Sequence, residues 1–139
     1  MLLRTHSLTK RNPGSDIAGV PAFPEGARQL ISAFQINRPE YAWKHGDFKV
    51  EDKNDLVIYE MLFRDFTKTK DIAGAMQQLD YIEDLGVNAV QLMPIQEFEG
   101  NDSWGYAPVG YFALDKAYGT REMYKKFIDE CHARGIAVI

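Results

Sequence analysis

The chain has 139 residues, 45% of them hydrophobic and 26% charged, and its 16 basic and 20 acidic side chains leave a formal net charge of -4. This is the composition of an ordinary globular protein, long enough to bury roughly two-thirds of its unfolded surface. The acidic balance argues against nucleic acid as a partner, and no stretch nears the roughly 20 apolar residues that cross a bilayer.

Residues 1–50 are punctuated by Pro13-Gly14, Pro21, Pro24, Gly26 and Pro39, and only 29–35 resembles a strand. This region reads as a short β element plus loop, the end of a β-module or a linker. The start, Met1-Leu2-Leu3-Arg4, lacks an apolar segment long enough for a secretory signal. The charged run Glu51-Asp52-Lys53-Asn54-Asp55 marks a boundary, so the expected division is 1–50 and 51–139.

Beyond it the pattern becomes regular. Residues 56–63 form a near-continuous apolar run, which predicts a strand buried on both faces. Residues 71–85 place Ile72, Met76, Leu79 and Ile82 at helical spacing, which predicts one amphipathic helix capped by Gly86. A second strand, 89–93, runs into a long non-repetitive loop, 94–120. Thr120 then caps a helix whose buried stripe is Met123, Phe127 and Cys131, with Lys125-Lys126 on its solvated face. Gly135 ends that helix, and 136–139 begin a third strand. The order β-α-β-loop-α-β implies a parallel sheet with right-handed crossovers. Such a pattern ending on four apolar residues reads as a piece of something larger, since an eight-stranded barrel takes about 250 residues. The rival is a small three-stranded α/β domain complete in itself.

Most site motifs are absent: there is no G-x-G-x-x-G after a strand, no P-loop, no H-E-x-x-H and no zinc spacing. His6, His45 and His132 are scattered and read as surface or packing residues. Cys131, the only cysteine, lies on the apolar helical stripe and reads as core; it excludes an internal disulfide. Arg64-Asp65 predicts a local ion pair. Glu97, Glu99 and Asp102 crowd one loop, whereas a glycosidase needs two carboxylates facing each other about 5–9 Å apart across a bond. Neighbours on one loop seldom achieve that, so they are not read as the catalytic pair. Trp104-Gly105-Tyr106 is the stronger signal. Two large rings flank a glycine that lets the backbone pass close to a ligand, and sugars offer apolar C–H faces to such rings. The competing reading is that aromatics pin the loop to its scaffold. That reading is expected for Phe112 and Tyr118, and ligand contact for Tyr106.

These residues then become familiar. Gly86-Val87-Asn88-Ala89-Val90-Gln91-Leu92-Met93-Pro94, Ser103-Trp104-Gly105-Tyr106-Ala107-Pro108 and Tyr111-Phe112-Ala113-Leu114-Asp115-Lys116-Ala117-Tyr118-Gly119-Thr120 resemble the α-amylase family of glycoside hydrolases. Ile58-Tyr59-Glu60-Met61-Leu62-Phe63-Arg64-Asp65-Phe66 is similar to its first barrel strand, and 127–139 to the helix and strand before its first catalytic-region motif. The resemblance runs continuously over about 55–139 and is closest to multidomain members with an N-terminal β-sandwich.

It implies an incomplete (β/α)₈ TIM barrel, from the first strand to the start of the third, preceded by a short β/loop segment. It also implies a retaining hydrolase or transglycosylase of α-glucans, using an aspartate nucleophile and a glutamate acid/base. Those carboxylates belong to later strands, so the resemblance assigns no catalytic residue here and implies that the chain alone is inactive. Tyr106 matches the tyrosine that stacks on the sugar at the cleavage point; Trp104 and Asp102 are its expected neighbours on the same wall. Ala107 stands where the family commonly has Asn or Asp, which removes a polar contact. Members often bind calcium, but a key ligand lies in a motif beyond Ile139, so no metal or other cofactor is assigned to this segment. The expected partner is an α-glucan or oligosaccharide, with no nucleic acid or membrane, and with self-association through exposed strand edges. The rival from another class is a non-catalytic carbohydrate-binding or interaction domain using the same two rings.

Overall fold

The computed structural model describes residues 6–8, 24–26, 31–33, 36–98, 100 and 102–139. The chain divides into two compact units, one of residues 41–93 with 121–139, the other of 1–40 with 94–120.

The first unit is built on a parallel sheet of β3 (Ile58–Met61), β4 (Ala89–Leu92) and β7 (Ala137–Val138), in the order β3-β4-β7. Ile58 pairs with Ala89, and Ala89 with Ala137. Asn88 sets the entry to the first two strands: its side chain accepts Val57 N–H at 2.7 Å and donates to Asp55 C=O at 2.9 Å. Between the strands run α1 (Phe63–Phe66), α2 (Ile72–Met76), α3 (Leu79–Asp84) and α4 (Arg121–Ala133). Ile72, Leu79, Ile82, Ala89, Val90, Phe127, Cys131 and Ile136 are buried together with Phe63. Phe63 meets Phe127 edge-on at 5.3 Å and Tyr124 at 6.1 Å, a geometry that aromatic quadrupoles favour. No helix among the described residues is long and apolar enough to cross a membrane.

Three expectations need correction here. The single helix over 71–85 is two, because Gln77 and Gln78 donate to Gly74 and Ala75, three residues back, and the α-helical ladder breaks between them. Gly74 has no room for a Cβ against the Thr67 and Thr69 side chains, and Asp71 caps α2 by accepting its N–H at 2.8 Å. The strand expected at 56–63 covers only Ile58–Met61, and Phe63 opens α1. It is not buried on both faces: Ile58, and Val57 just before the strand, are about half exposed. Lys125 is not merely solvated: its ammonium lies 5.6 Å from the ring centres of both Tyr41 and Trp43.

Other expectations stand. Gly86 and Gly135 adopt positive φ, at 75° and 71°, where each helix gives way to a strand. Arg64 pairs with Asp65 at 2.8 Å. Cys131 is core, and burial pushes its thiol up to about 12. Of the stripe on α4, Phe127 and Cys131 are buried and Met123 only partly.

One anchor had no sequence signal. Asp129, 4% exposed on α4, accepts the backbone N–H groups of Lys44 and His45 at 3.1 and 2.8 Å and the Tyr41 hydroxyl at 3.4 Å. His132 stacks on Phe48 at 4.4 Å, with its Nδ1 3.3 Å from the His45 carbonyl. Segment 41–48 is therefore held to α4 by both hydrogen bonds and packing. His132 packs on Phe48, within the expectation of a surface or packing residue, whereas His45 acts through its backbone and holds its ring 3.6 Å from Asp129.

In the second unit, β1 (His6–Leu8) pairs antiparallel with β2 (Ile31–Ala33). The strand expected over 29–35 is observed at its centre; 29, 30, 34 and 35, like Pro13, Gly14, Pro21 and Glu99, lie outside the described residues. The stretch expected to be loop contains a hairpin of β5 (Gln96–Phe98) and β6 (Pro108–Leu114). Its register explains why no alternation is legible. Gln96 pairs with Leu114 but Glu97 with Gly110, so one step on β5 spans four residues on β6. Tyr111, Phe112 and Ala113 bulge out of the ladder there.

Candidate functional site

The hairpin unit is built around buried charge. Glu97 and Lys116 are both fully buried and form an ion pair, and Lys116 N–H also donates to Glu97 at 3.2 Å. Asp115 N–H donates to Ile95 C=O at 2.8 Å, and the Asp115 carboxylate accepts Ala117 N–H at 2.8 Å. Burial, reinforced by the Glu97 charge, raises Asp115 to about 7; the Ala117 N–H and the Lys116 charge only partly oppose this. Phe98 and Tyr118 are buried with ring centres 6.1 Å apart. Glu97 thus neutralises a lysine inside the hairpin and offers no free carboxylate to a ligand. The buried trio of Glu97, Asp115 and Lys116 was missed as a unit. Its available hint was Asp115-Lys116 set between apolar neighbours in 111–118.

The outward-facing groups lie between the two strands. Trp104 is 62% exposed, Tyr106 66% exposed, and Asp102 is exposed too. Gly105 between the rings is buried, has φ +91°, and donates its N–H to the Ser103 hydroxyl at 3.1 Å. The three residues singled out from the sequence therefore share one exposed turn. Tyr118 is buried, as the pinning role requires. Phe112 is not: at 89% exposure, with Tyr111 at 73%, it pins nothing among the described residues, because the bulge turns it out of the ladder.

Two exposed aromatic faces beside a carboxylate suit a polyhydroxylated ligand that presents C–H faces and hydroxyls. They supply no general acid or base pair. Among the described residues no group of three or more His, Cys, Asp or Glu side chains is placed to hold a metal ion.

Comparison with known proteins follows the same outline. The family profile "Alpha amylase, catalytic domain" matches residues 50–139. Malto-oligosyltrehalose trehalohydrolase of Arthrobacter ramosus is 39% identical over 116 residues, which are 84% of this chain and 20% of that protein. The 1,4-alpha-glucan branching enzyme of Nitrosomonas europaea is 34% identical over 112 residues, 72% of this chain and 15% of the enzyme. Among solved structures, an α-amylase-like protein from Salmonella typhimurium superposes with a TM-score of 0.73 at 32% identity, covering 78% of this chain and 18% of its own. The chain thus spans about one-fifth of the length of the first of these relatives.

Proposed function

This chain belongs to the α-amylase catalytic-domain family, and on that premise we propose that its 102–106 turn forms one wall of the substrate cleft in a retaining α-glucan hydrolase or transglycosylase. The observation carrying this reading is the exposure of Trp104 and Tyr106 on one turn of the segment that follows β4 in the chain. In (β/α)₈ barrels, that end of the strands is where substrates are met. Membership supplies the barrel: β3, β4 and β7 correspond to its first three strands, in a parallel order that fits.

In this reading Tyr106 stacks on the sugar at the cleavage point and holds the ring as it flattens toward an oxocarbenium-like transition state. Trp104 extends the apolar wall, and Asp102 accepts hydroxyl hydrogen bonds at its rim. The substrate class is that named by the relatives, malto-oligosyl and 1,4-α-glucan chains. Bond cleavage falls to carboxylates on later strands. Residues 1–50 are read as the end of an N-terminal β-module and its linker, which fits the family match beginning at residue 50 and the antiparallel pairing of β1 with β2, with 41–48 already held to α4.

The test compares the full natural polypeptide carrying these residues with the isolated 139-residue chain, using maltoheptaose as probe. The full polypeptide is expected to turn it over with retention of anomeric configuration, and the isolated chain not at all. Turnover by the isolated chain, or sugar binding without any turnover by the full polypeptide, would overturn the reading; the latter result would favour a binding module. The isolated chain is also expected to associate through the outer edge of β3, which among the described residues pairs only with β4. A monomer in sedimentation would contradict that.

A further inference from the structure

We infer that Gly105 is a positioning residue that sets where the Trp104 and Tyr106 rings stand, by a close backbone contact with Pro94. The inference rests on the reading of Tyr106 as a sugar-stacking residue and adds what holds it in place.

Several glycines in the chain have positive φ, and most need nothing further. A Cβ built on Gly86, Gly100 or Gly135 would meet no atom within 4 Å. Gly105 differs in having both constraints. Its φ is +91°, a conformation that strains any L side chain, and a Cβ there would lie 2.7 Å from the Pro94 carbonyl oxygen and 2.9 Å from Pro94 Cβ. The first of these is backbone and cannot swing away. The Ser103 hydroxyl also holds this residue, accepting Gly105 N–H at 3.1 Å. Gly105 is buried while the residues on either side of it are about two-thirds exposed. The tripeptide is thus pressed against the residue that opens the hairpin unit and aims its rings outward from that contact. Any side chain at 105 must push the turn off Pro94, and both rings move with it.

A ring that helps most in the transition state is sensitive to such displacement, since a misplacement of about 1 Å can cost a hundredfold in rate. Gly100 is the internal control: it lies in the same loop with φ +71° and open space around it. Alanine at 100 imposes the conformational strain without the collision.

The experiment is a double-mutant cycle on maltoheptaose turnover by the full natural polypeptide, with melting temperatures measured in parallel. Gly105→Ala is expected to lower kcat by about ten- to a hundredfold with little change in KM. Gly100→Ala is expected to stay within about twofold. If Gly105 acts through the ring, then adding Gly105→Ala to Tyr106→Ala costs less than about threefold more. An undiminished loss in that background means a general structural role and overturns the inference, as does unchanged kcat in Gly105→Ala. If Tyr106→Ala itself leaves kcat unchanged, the proposed function falls and the inference with it. A fall for Tyr106→Ala but none for Gly105→Ala removes the inference alone. Should Gly105→Ala fail to fold, Ser103→Ala carries the test: loss of the hydroxyl is expected to lower kcat about two- to fivefold, again coupled to Tyr106. Unchanged or uncoupled kcat in that variant overturns the inference.

Discussion

The two units bury carboxylates in opposite ways. In the sheet unit, Asp129 lies among donors. Burial alone would raise its pKa, but the His45 and Lys44 backbone N–H groups, the His45 charge and the Tyr41 hydroxyl together hold it below the usual carboxylate value. In the hairpin unit, Asp115 is buried beside Glu97 and is raised to about 7. The rest of each interior follows suit. The sheet unit packs Ile, Leu, Val and Phe around Phe63 and Phe127, whereas the hairpin unit encloses the Glu97–Lys116 pair. An apolar core tolerates many arrangements of similar volume, while a buried ion pair is satisfied in very few. That suits a hairpin which must present an exposed turn in one place.

The contrast is broken most severely by removing mass from the apolar side. Phe127→Ala is expected to cost about 3–5 kcal/mol in urea unfolding, and no second substitution nearby should recover it. On the charged side, Lys116→Met leaves Glu97 buried without its counter-charge and is expected to cost about 3 kcal/mol. Here a second change does help: Glu97→Gln added to Lys116→Met should recover most of the loss. If the double variant is as unstable as the single one, the pair is not what holds the hairpin.

The smaller effects are pH-dependent and of opposite sign. Asp115 titrates near 7 when folded and near 3.8 when unfolded. The folded state therefore keeps a proton that the unfolded state releases, and stability from this group falls as pH rises from about 4 to about 7. The expected loss between pH 5 and pH 8 is on the order of 2 kcal/mol, and Asp115→Asn should flatten it. Asp129, lowered in the fold, behaves in reverse: its contribution is full above its unfolded value of 3.8 and is lost as pH falls through its folded value. Asp129→Asn should flatten that acid limb and leave the region above pH 5 unchanged in slope. Thermal melts across pH 2–8 separate the two, and a single limb shared by both variants would defeat the contrast.

How far the sequence could be read also divides along this line. The sheet unit was largely legible because its signals are local: apolar runs for β4 and β7, helical spacing for α4, and glycines at positive φ closing both crossovers. Its failures were local too, at the 3-10 break after Met76 and the half-exposed start of β3. The hairpin was illegible as structure because the four-for-one bulge opposite Gln96 and Glu97 destroys the two-residue period that marks a strand. Its buried pair joins residues 19 apart in sequence, and no periodicity reports that. The candidate turn was nevertheless visible, since Trp104, Gly105 and Tyr106 are adjacent in the chain and needed only one geometry to be exposed together. Asp129 was illegible: its partners, Lys44 and His45, are 85 and 84 residues away and contribute backbone N–H groups that carry no residue signature.

The central claim is that the Tyr106 ring, presented by this turn, stacks on the sugar being cleaved. It is tested most directly by comparing Tyr106→Phe with Tyr106→Ala in the full natural polypeptide, reading kcat/KM on maltoheptaose. Stacking predicts that phenylalanine keeps activity within a few-fold while alanine loses about tenfold or more, equivalent to roughly 1.4 kcal/mol of transition-state stabilisation. Equal activity in the two variants, whether both retained or both lost, would contradict it.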